Sequence, residues 1–98
     1  MAELRFDWDR AKDAANRRKH GVSFAEAATV FYDERALLLA DPDHSEDEDR
    51  FLLLGLSVRL RTLVVCHCYR AVEEVIRIIS ARRADRSERA TYYRRLRP

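Results

Sequence analysis

Four short apolar runs occupy the middle of the chain: ALLLA (36–40), FLLLGL (51–56), LVVCHCY (63–69) and VIRIIS (75–80). Each has strand length, and polar segments of about ten, six and five residues separate them. Parallel neighbours need a crossover of a dozen or more residues, usually a helix. Connections this short leave antiparallel pairing as the way for these runs to share a sheet. The feature excludes a βαβ architecture, and helices can then lie only before and after the strands.

Both flanks carry helical patterns. FDWD offers Asp7 or Asp9 as an N-cap, and Trp8, Ala11 and Ala15 fall at i, i+3 and i+7 on a helix ending near His20. Gly21 suits the left-handed position that stops a helix. Ser23-Phe-Ala-Glu26 is a capping box, in which the hydroxyl accepts from the third residue's amide while the carboxylate reaches back. Phe24, Ala27, Ala28 and Phe31 then keep helical spacing as far as Asp33. A third helix starts at Asp85-Arg-Ser-Glu88, with Tyr92, Tyr93 and Leu96 towards the body, and Ser45 to Glu48 could cap a helical turn within the longest connection. The expected fold is α+β: two N-terminal helices, a four-stranded, mainly antiparallel sheet and a C-terminal helix, in one domain spanning 1–98.

Ninety-eight residues bury about 60–65% of the unfolded surface, enough for one modest core but not for a barrel with a large cavity. Two glycines and two prolines with 47% apolar residues mark a globular chain. Apolar runs of about five residues are far short of a membrane span, and MAELRFDWDR lacks a signal-peptide core, so a cytoplasmic location is expected. Cys66 and Cys68 flank His67; strand neighbours make a poor disulfide, and three such side chains are too few for the usual zinc spacing. Buried thiols are expected there, with no metal. Charge is polarised: residues 33–50 hold eight acids against two bases, and residues 82–98 hold seven arginines against two acids. Such a basic end can meet phosphate, or serve only as a solvated helix face.

Several polar groups carry both a structural and a chemical reading. Lys19 and His20 stand in a last helical turn, where cations favour the negative end of the helix dipole. Strand alternation puts Arg77, Ile79 and Ala81 on one face, and Ile76, Ile78 and Ser80 on the other. Arg77 must then escape to solvent, pair with an acid or enter a polar groove, and with Arg82 and Arg83 it could converge on a phosphate. The DPDHSEDEDR loop (41–50) offers a histidine, carboxylates and an arginine for acid–base and phosphate chemistry, or a merely solvated turn. Trp8 either anchors the core or stacks on a base.

Taken together, FDWDRAKDAANRRKHGVSF (6–24), VFYD (30–33), DPDHSEDEDRFLLLGLS (41–57) and IRIISARRADRSERATYY (76–93) resemble the BrnT family of toxins from bacterial type II toxin–antitoxin systems. The resemblance covers about two thirds of the chain, and it implies a small RelE-like fold and a ribonuclease that arrests growth until a cognate BrnA-type antitoxin neutralises it. That partner is a small DNA-binding protein, so operator DNA would be met only through it. RelE-like nucleases need no metal or other cofactor, because the RNA's own 2′-hydroxyl attacks the adjacent phosphate. Matched position by position, the resemblance makes His20 and Lys19 proton-transfer candidates, and Arg50 and Arg77 phosphate clamps. Arg82 and Arg83 would steer the RNA backbone, Trp8 would stack or pack, and His44 and Glu48 are secondary catalytic candidates. Two features depart from the family pattern: the CHCY of the third run and the strongly basic YYRRLRP tail. A non-catalytic nucleic-acid-binding or antitoxin-docking module is the alternative function, and opposite charges at 33–50 and the tail would also allow contacts between two copies within a complex.

Overall fold

The computed structural model describes residues 3–41 and 50–96. In chain order the elements are β1 (Phe6–Asp7), α1 (Arg10–His20), α2 (Phe24–Thr29), a 3-10 turn (Val30–Tyr32), β2 (Leu37–Ala40), β3 (Phe51–Leu56), β4 (Thr62–Arg70), β5 (Val75–Arg83) and α3 (Arg86–Arg95). The strands form one sheet in the order β1-β5-β4-β3-β2. The four expected strands pair antiparallel, as their short connections require. The expected four-stranded sheet is corrected by β1, a two-residue strand that pairs parallel with β5 through Phe6–Ile76 and Asp7–Arg77. Two residues are too few to show a period, and the chain from β1 to β5 supplies the long connection that parallel pairing needs. Ser45 to Glu48, with the turn expected there, lies outside the described residues.

Helices α1 and α2 cover one face of the sheet. There Val22, Phe24, Ala27 and Val30 pack against Leu53, Leu63, Val65, Ile78 and Ala81, with Trp8 and Phe31 at the margin. Gly55 permits this close approach: a β-carbon there would stand 2.8 Å from Val30 Cγ1 and 2.9 Å from Ala36 Cβ. On the other face, Tyr92 of α3 and Ala84, just before the helix cap, pack over Leu54 and Val64. Tyr93, expected to face the body, is half exposed. The α3 cap is a full reciprocal box, in which Asp85 Oδ1 accepts from the Glu88 amide and Glu88 Oε1 accepts from the Asp85 amide, both at 2.8 Å.

Candidate active site

The site begins with an unexpected inner face on α1. Ala11 and Ala15 are exposed, whereas Asp13 and His20 are half-buried and Asn16 is buried. The stripe facing the sheet is therefore polar, and each member has a task. Asp13 Oδ1 accepts from the Phe24 amide at 2.9 Å, tying α1 to the start of α2. Asn16 Nδ2 donates to the carbonyls of Val22 and Ala81, both at 2.8 Å, and its Oδ1 accepts from the Ala81 amide at 3.1 Å. Beyond the two residues covered by β1, the edge of β5 would leave backbone groups unpaired inside the protein. Asn16 supplies a strand's donor and acceptor from a side chain.

One turn after Asn16, Gly21 adopts φ 68° and its amide donates to the Arg17 carbonyl at 2.9 Å. This left-handed stop was expected from the sequence. A second clamp holds it in place, since Arg61 Nη2 donates to the Gly21 carbonyl at 3.1 Å. The same guanidinium pairs with the buried carboxylate of Glu26, and Nε reaches Glu26 Oε2 at 2.9 Å. Ser57 Oγ donates to Glu26 Oε2 at 2.7 Å. Arg61 and Ser57 together hold the Glu26 carboxyl below its usual range, against the opposing pull of burial. The expected capping box is thus half formed: Ser23 Oγ accepts from the Glu26 amide at 3.0 Å, while the Glu26 carboxylate turns to Arg61.

A β-bulge determines which side chains His20 meets. Cys66 pairs with Ser80 but His67 pairs with Ile78, so Ile79 is an extra residue in β5. The expected alternation is corrected here, because one inserted residue resets the faces of all residues beyond it. Directly opposed residues share a face, so Arg77, Ser80 and Arg82 lie with Cys68, Cys66 and Val64 on the face away from α1 and α2. His20 reaches this face around the β5 edge and joins Leu52, Val64, Cys66, Ser80 and Arg82 around a cleft of about 70 Å³.

The cations of this face are pre-positioned by carboxylates. Arg82 forms a bidentate pair with Glu88, at 2.7 and 2.9 Å, and thereby holds the Glu88 carboxyl below its usual range. Arg77 Nη1 pairs with Asp7 Oδ2 at 2.5 Å, which makes the β1–β5 register an electrostatic contact too. The Cys66 thiol donates to Asp41 Oδ2 at 3.5 Å, and the Asp41 amide donates to the Arg50 carbonyl at 3.2 Å. Burial, reinforced by the Asp41 carboxylate, pushes the Cys66 thiol up to about 11, with Arg50 pulling the other way. Cys66 is thus a protonated thiol near neutrality, and both cysteines are free. His67 faces the opposite side, edge-on to Phe31 at 4.7 Å, and burial pushes its imidazole towards the neutral form.

His20 and Arg82 are therefore brought into one cleft, and Arg50 approaches its wall through Cys66. Arg77 shares their face two cross-strand pairs beyond Ser80–Cys66. Lys19 is exposed at the end of the same helix. Trp8 and Arg83 do not join them: Trp8 packs edge-on against Phe24 at 6.2 Å, and Arg83 lies opposite Leu63, whose face is that of α1 and α2. His44 and Glu48 lie outside the described residues. Sequence reasoning missed Asn16 and Arg61, whose partners Ala81 and Glu26 are 65 and 35 residues away, and it missed the pairing of the capping residue Glu88 with Arg82. Among the described residues no His, Cys, Asp or Glu cluster could hold a metal ion, and no helix is long and apolar enough to cross a membrane.

The mixed five-stranded sheet thus carries α1 and α2 on one face and a cleft lined by His20 and Arg82 on the other. The 1.1 Å crystal structure of the Brucella abortus ribonuclease toxin BrnT superposes with a TM-score of 0.66 at 23% identity, covering 86% of this chain and 100% of that one, so the fold is shared. No curated protein matches by sequence. Residues 8–88 match the family described as "Ribonuclease toxin, BrnT, of type II toxin-antitoxin system", and the chain belongs to that family. It is accordingly an endoribonuclease toxin with an antitoxin as partner.

Proposed function

We propose that the toxin cleaves RNA without a metal at the His20–Arg82 cleft, on the face of the sheet away from α1 and α2. The observation carrying this reading is the meeting of His20 with Arg82 across the β5 edge. In the step itself, the RNA 2′-oxygen bonds to the adjacent phosphorus and the bond from phosphorus to the 5′-oxygen breaks. The 2′-hydroxyl proton leaves to a base, and a proton is delivered to the departing 5′-oxygen. The products are a 2′,3′-cyclic phosphate and a 5′-hydroxyl.

His20 carries the proton transfer, since an imidazole can both take and give a proton near neutrality. Lys19, at the same helix end, is the candidate for the complementary transfer. Arg82, Arg50 and Arg77 stabilise the extra negative charge on phosphorus. Asp7 and Glu88 hold Arg77 and Arg82 in place before RNA arrives, and phosphate oxygens then share or replace those carboxylate contacts. His44 and Glu48 belong to the same family block as Arg50 and complete the candidate set. The antitoxin is proposed to be a BrnA-type DNA-binding protein that blocks this face, so operator DNA is met only through it.

His20→Ala and Arg82→Gln, purified and checked for folding by circular dichroism, are expected to slow cleavage of a labelled RNA by at least about 100-fold. Wild-type cleavage should persist in excess chelator and leave cyclic phosphate ends. A folded His20→Ala protein as fast as wild type, or wild-type activity abolished by chelator and restored by a divalent ion, would sink the proposal.

A further inference from the structure

Beyond the end of β5 lies a second cationic concavity that the cleavage step does not use. It has a volume of about 250 Å³ and lies between the β3–β4 turn, the end of β5 and α3, with Arg61, Arg83, Arg89 and Tyr93 among its walls. The three guanidiniums are not equivalent. Arg61 is committed to Glu26 and the Gly21 carbonyl. Arg89 Nη1 donates to the Ala84 carbonyl at 2.9 Å, which holds its head in the pocket while leaving most of its donors unused. Arg83 is exposed, and among the described residues neither Arg83 nor Arg89 has a carboxylate partner. Two uncompensated forks therefore line one small hollow, in contrast to Arg77 and Arg82, which are already paired.

Tyr93 adds a second kind of chemistry. Its ring is 48% exposed, yet it is braced edge-on by Tyr92, with centroids 5.2 Å apart. Tyr92 is itself buried, and its hydroxyl donates to Asp33 Oδ2 at 2.6 Å. A large aromatic that is exposed but rigid, beside unpaired guanidiniums, matches the needs of one nucleotide: a π-face for any base and forked donors for its phosphate. An acidic side chain of a protein partner would satisfy the arginines but would leave the braced ring without a role.

The pocket also adjoins the cleft. Arg83 follows Arg82, whose Nη1 donates to the Arg83 carbonyl at 3.3 Å. Arg61 grips the carbonyl of the residue next to His20. We propose that this pocket is a nucleotide subsite holding the RNA beside the scissile linkage, with Arg83 and Arg89 on a phosphodiester and Tyr93 stacked on a base of any sequence. The subsite rests on the proposed location of cleavage at His20 and Arg82.

The test compares Tyr93→Leu, Arg89→Gln and Arg83→Gln with wild type, each first shown to retain the wild-type thermal midpoint within a few degrees. Two quantities are read: the ratio of kcat/KM for a ten-nucleotide RNA to that for a dinucleotide, and the affinity for a 2′-O-methylated ten-mer that cannot be cleaved. Each substitution is expected to lower both by about 10-fold, the scale that one stacked base or one phosphate contact carries. Unchanged ratio and affinity in all three variants overturn the proposal. So does unchanged RNA binding combined with weakened binding of the cognate antitoxin, which assigns the pocket to the protein partner. If His20→Ala cleaves normally while Tyr93→Leu still loses ten-mer affinity, the pocket stands as an RNA site and the reading of the cleavage centre falls.

Discussion

Asn16 shows how much one side chain can decide. Its bonds to Val22 and Ala81 fasten α1, the α1–α2 turn and the stretch of the β5 edge that β1 leaves uncovered at one point. Asn16→Ala would leave the Ala81 amide and two carbonyls without partners in a buried place. The expected loss is about 3 kcal/mol, measured by urea unfolding, given roughly 1–3 kcal/mol for each stranded group and some relief by water. A loss under about 0.5 kcal/mol would show that the edge does not need this contact. Nothing in NRRKHG distinguishes Asn16 from a solvated asparagine, because its partner is 65 residues away. Gly21 is the contrasting case. Its conformation follows from local sterics, and it was legible from the residues around it alone.

At the level of elements, one short motif has two outcomes. Ser23 to Glu26 and Asp85 to Glu88 share the capping-box spacing, but only Glu88 reaches back to its cap. Glu26 is drawn off by Arg61 and Ser57, and so fastens α2 to the β3–β4 turn. Its carboxyl is held below the 4.5 of an unperturbed glutamate, so the folded chain binds fewer protons than the unfolded one. The stability contributed by this pair is fully present above the unfolded value and is lost as pH falls through the folded value. Melting temperature should therefore fall on acidification below about 4.5 in wild type and fall less steeply in Glu26→Gln. Parallel acid limbs in the two proteins would refute this account. At neutral pH, Glu26→Gln should cost about 2 kcal/mol, less than a fully buried pair would because Arg61 keeps some contact with solvent. The bulge at Ile79 is a feature of the same scale. Period-two reading of VIRIISAR splits its polar residues between faces, and one extra residue gathers Arg77, Ser80 and Arg82 on one side.

Across the whole molecule, the sheet separates duties: helices α1 and α2 bury one face, while α3 covers only part of the other. Cations on the remaining part should make RNA binding strongly dependent on salt, since each phosphate contact releases counterions. With three to five such contacts by arginine, the logarithm of the association constant should fall against the logarithm of salt with a slope of about −2 to −3.5. Arg77→Gln should reduce that slope by roughly 0.7 in a titration of the 2′-O-methylated ten-mer. An unchanged slope would remove Arg77 from the RNA path and leave it as the partner of Asp7 alone.

The sequence by itself determined the antiparallel core, because connections of about ten, six and five residues cannot hold a crossover. It also determined the Gly21 stop and the starts of the helices, which depend on neighbours within a turn, and it carried the family resemblance over about two thirds of the chain. Tertiary structure alone decided the rest. The strand β1 exists only because β5 offers it an edge, and Arg77 has an acid beside it only because β1 is there. His20 meets Arg82 because Asn16 pins α1 to β5 and because a bulge turns Arg82 to the right face. Local spacing sets what a residue's neighbours within a turn can do. Which distant partner satisfies a buried polar group, and where a ladder slips by one residue, is decided only when the packed chain must pair every buried donor and acceptor.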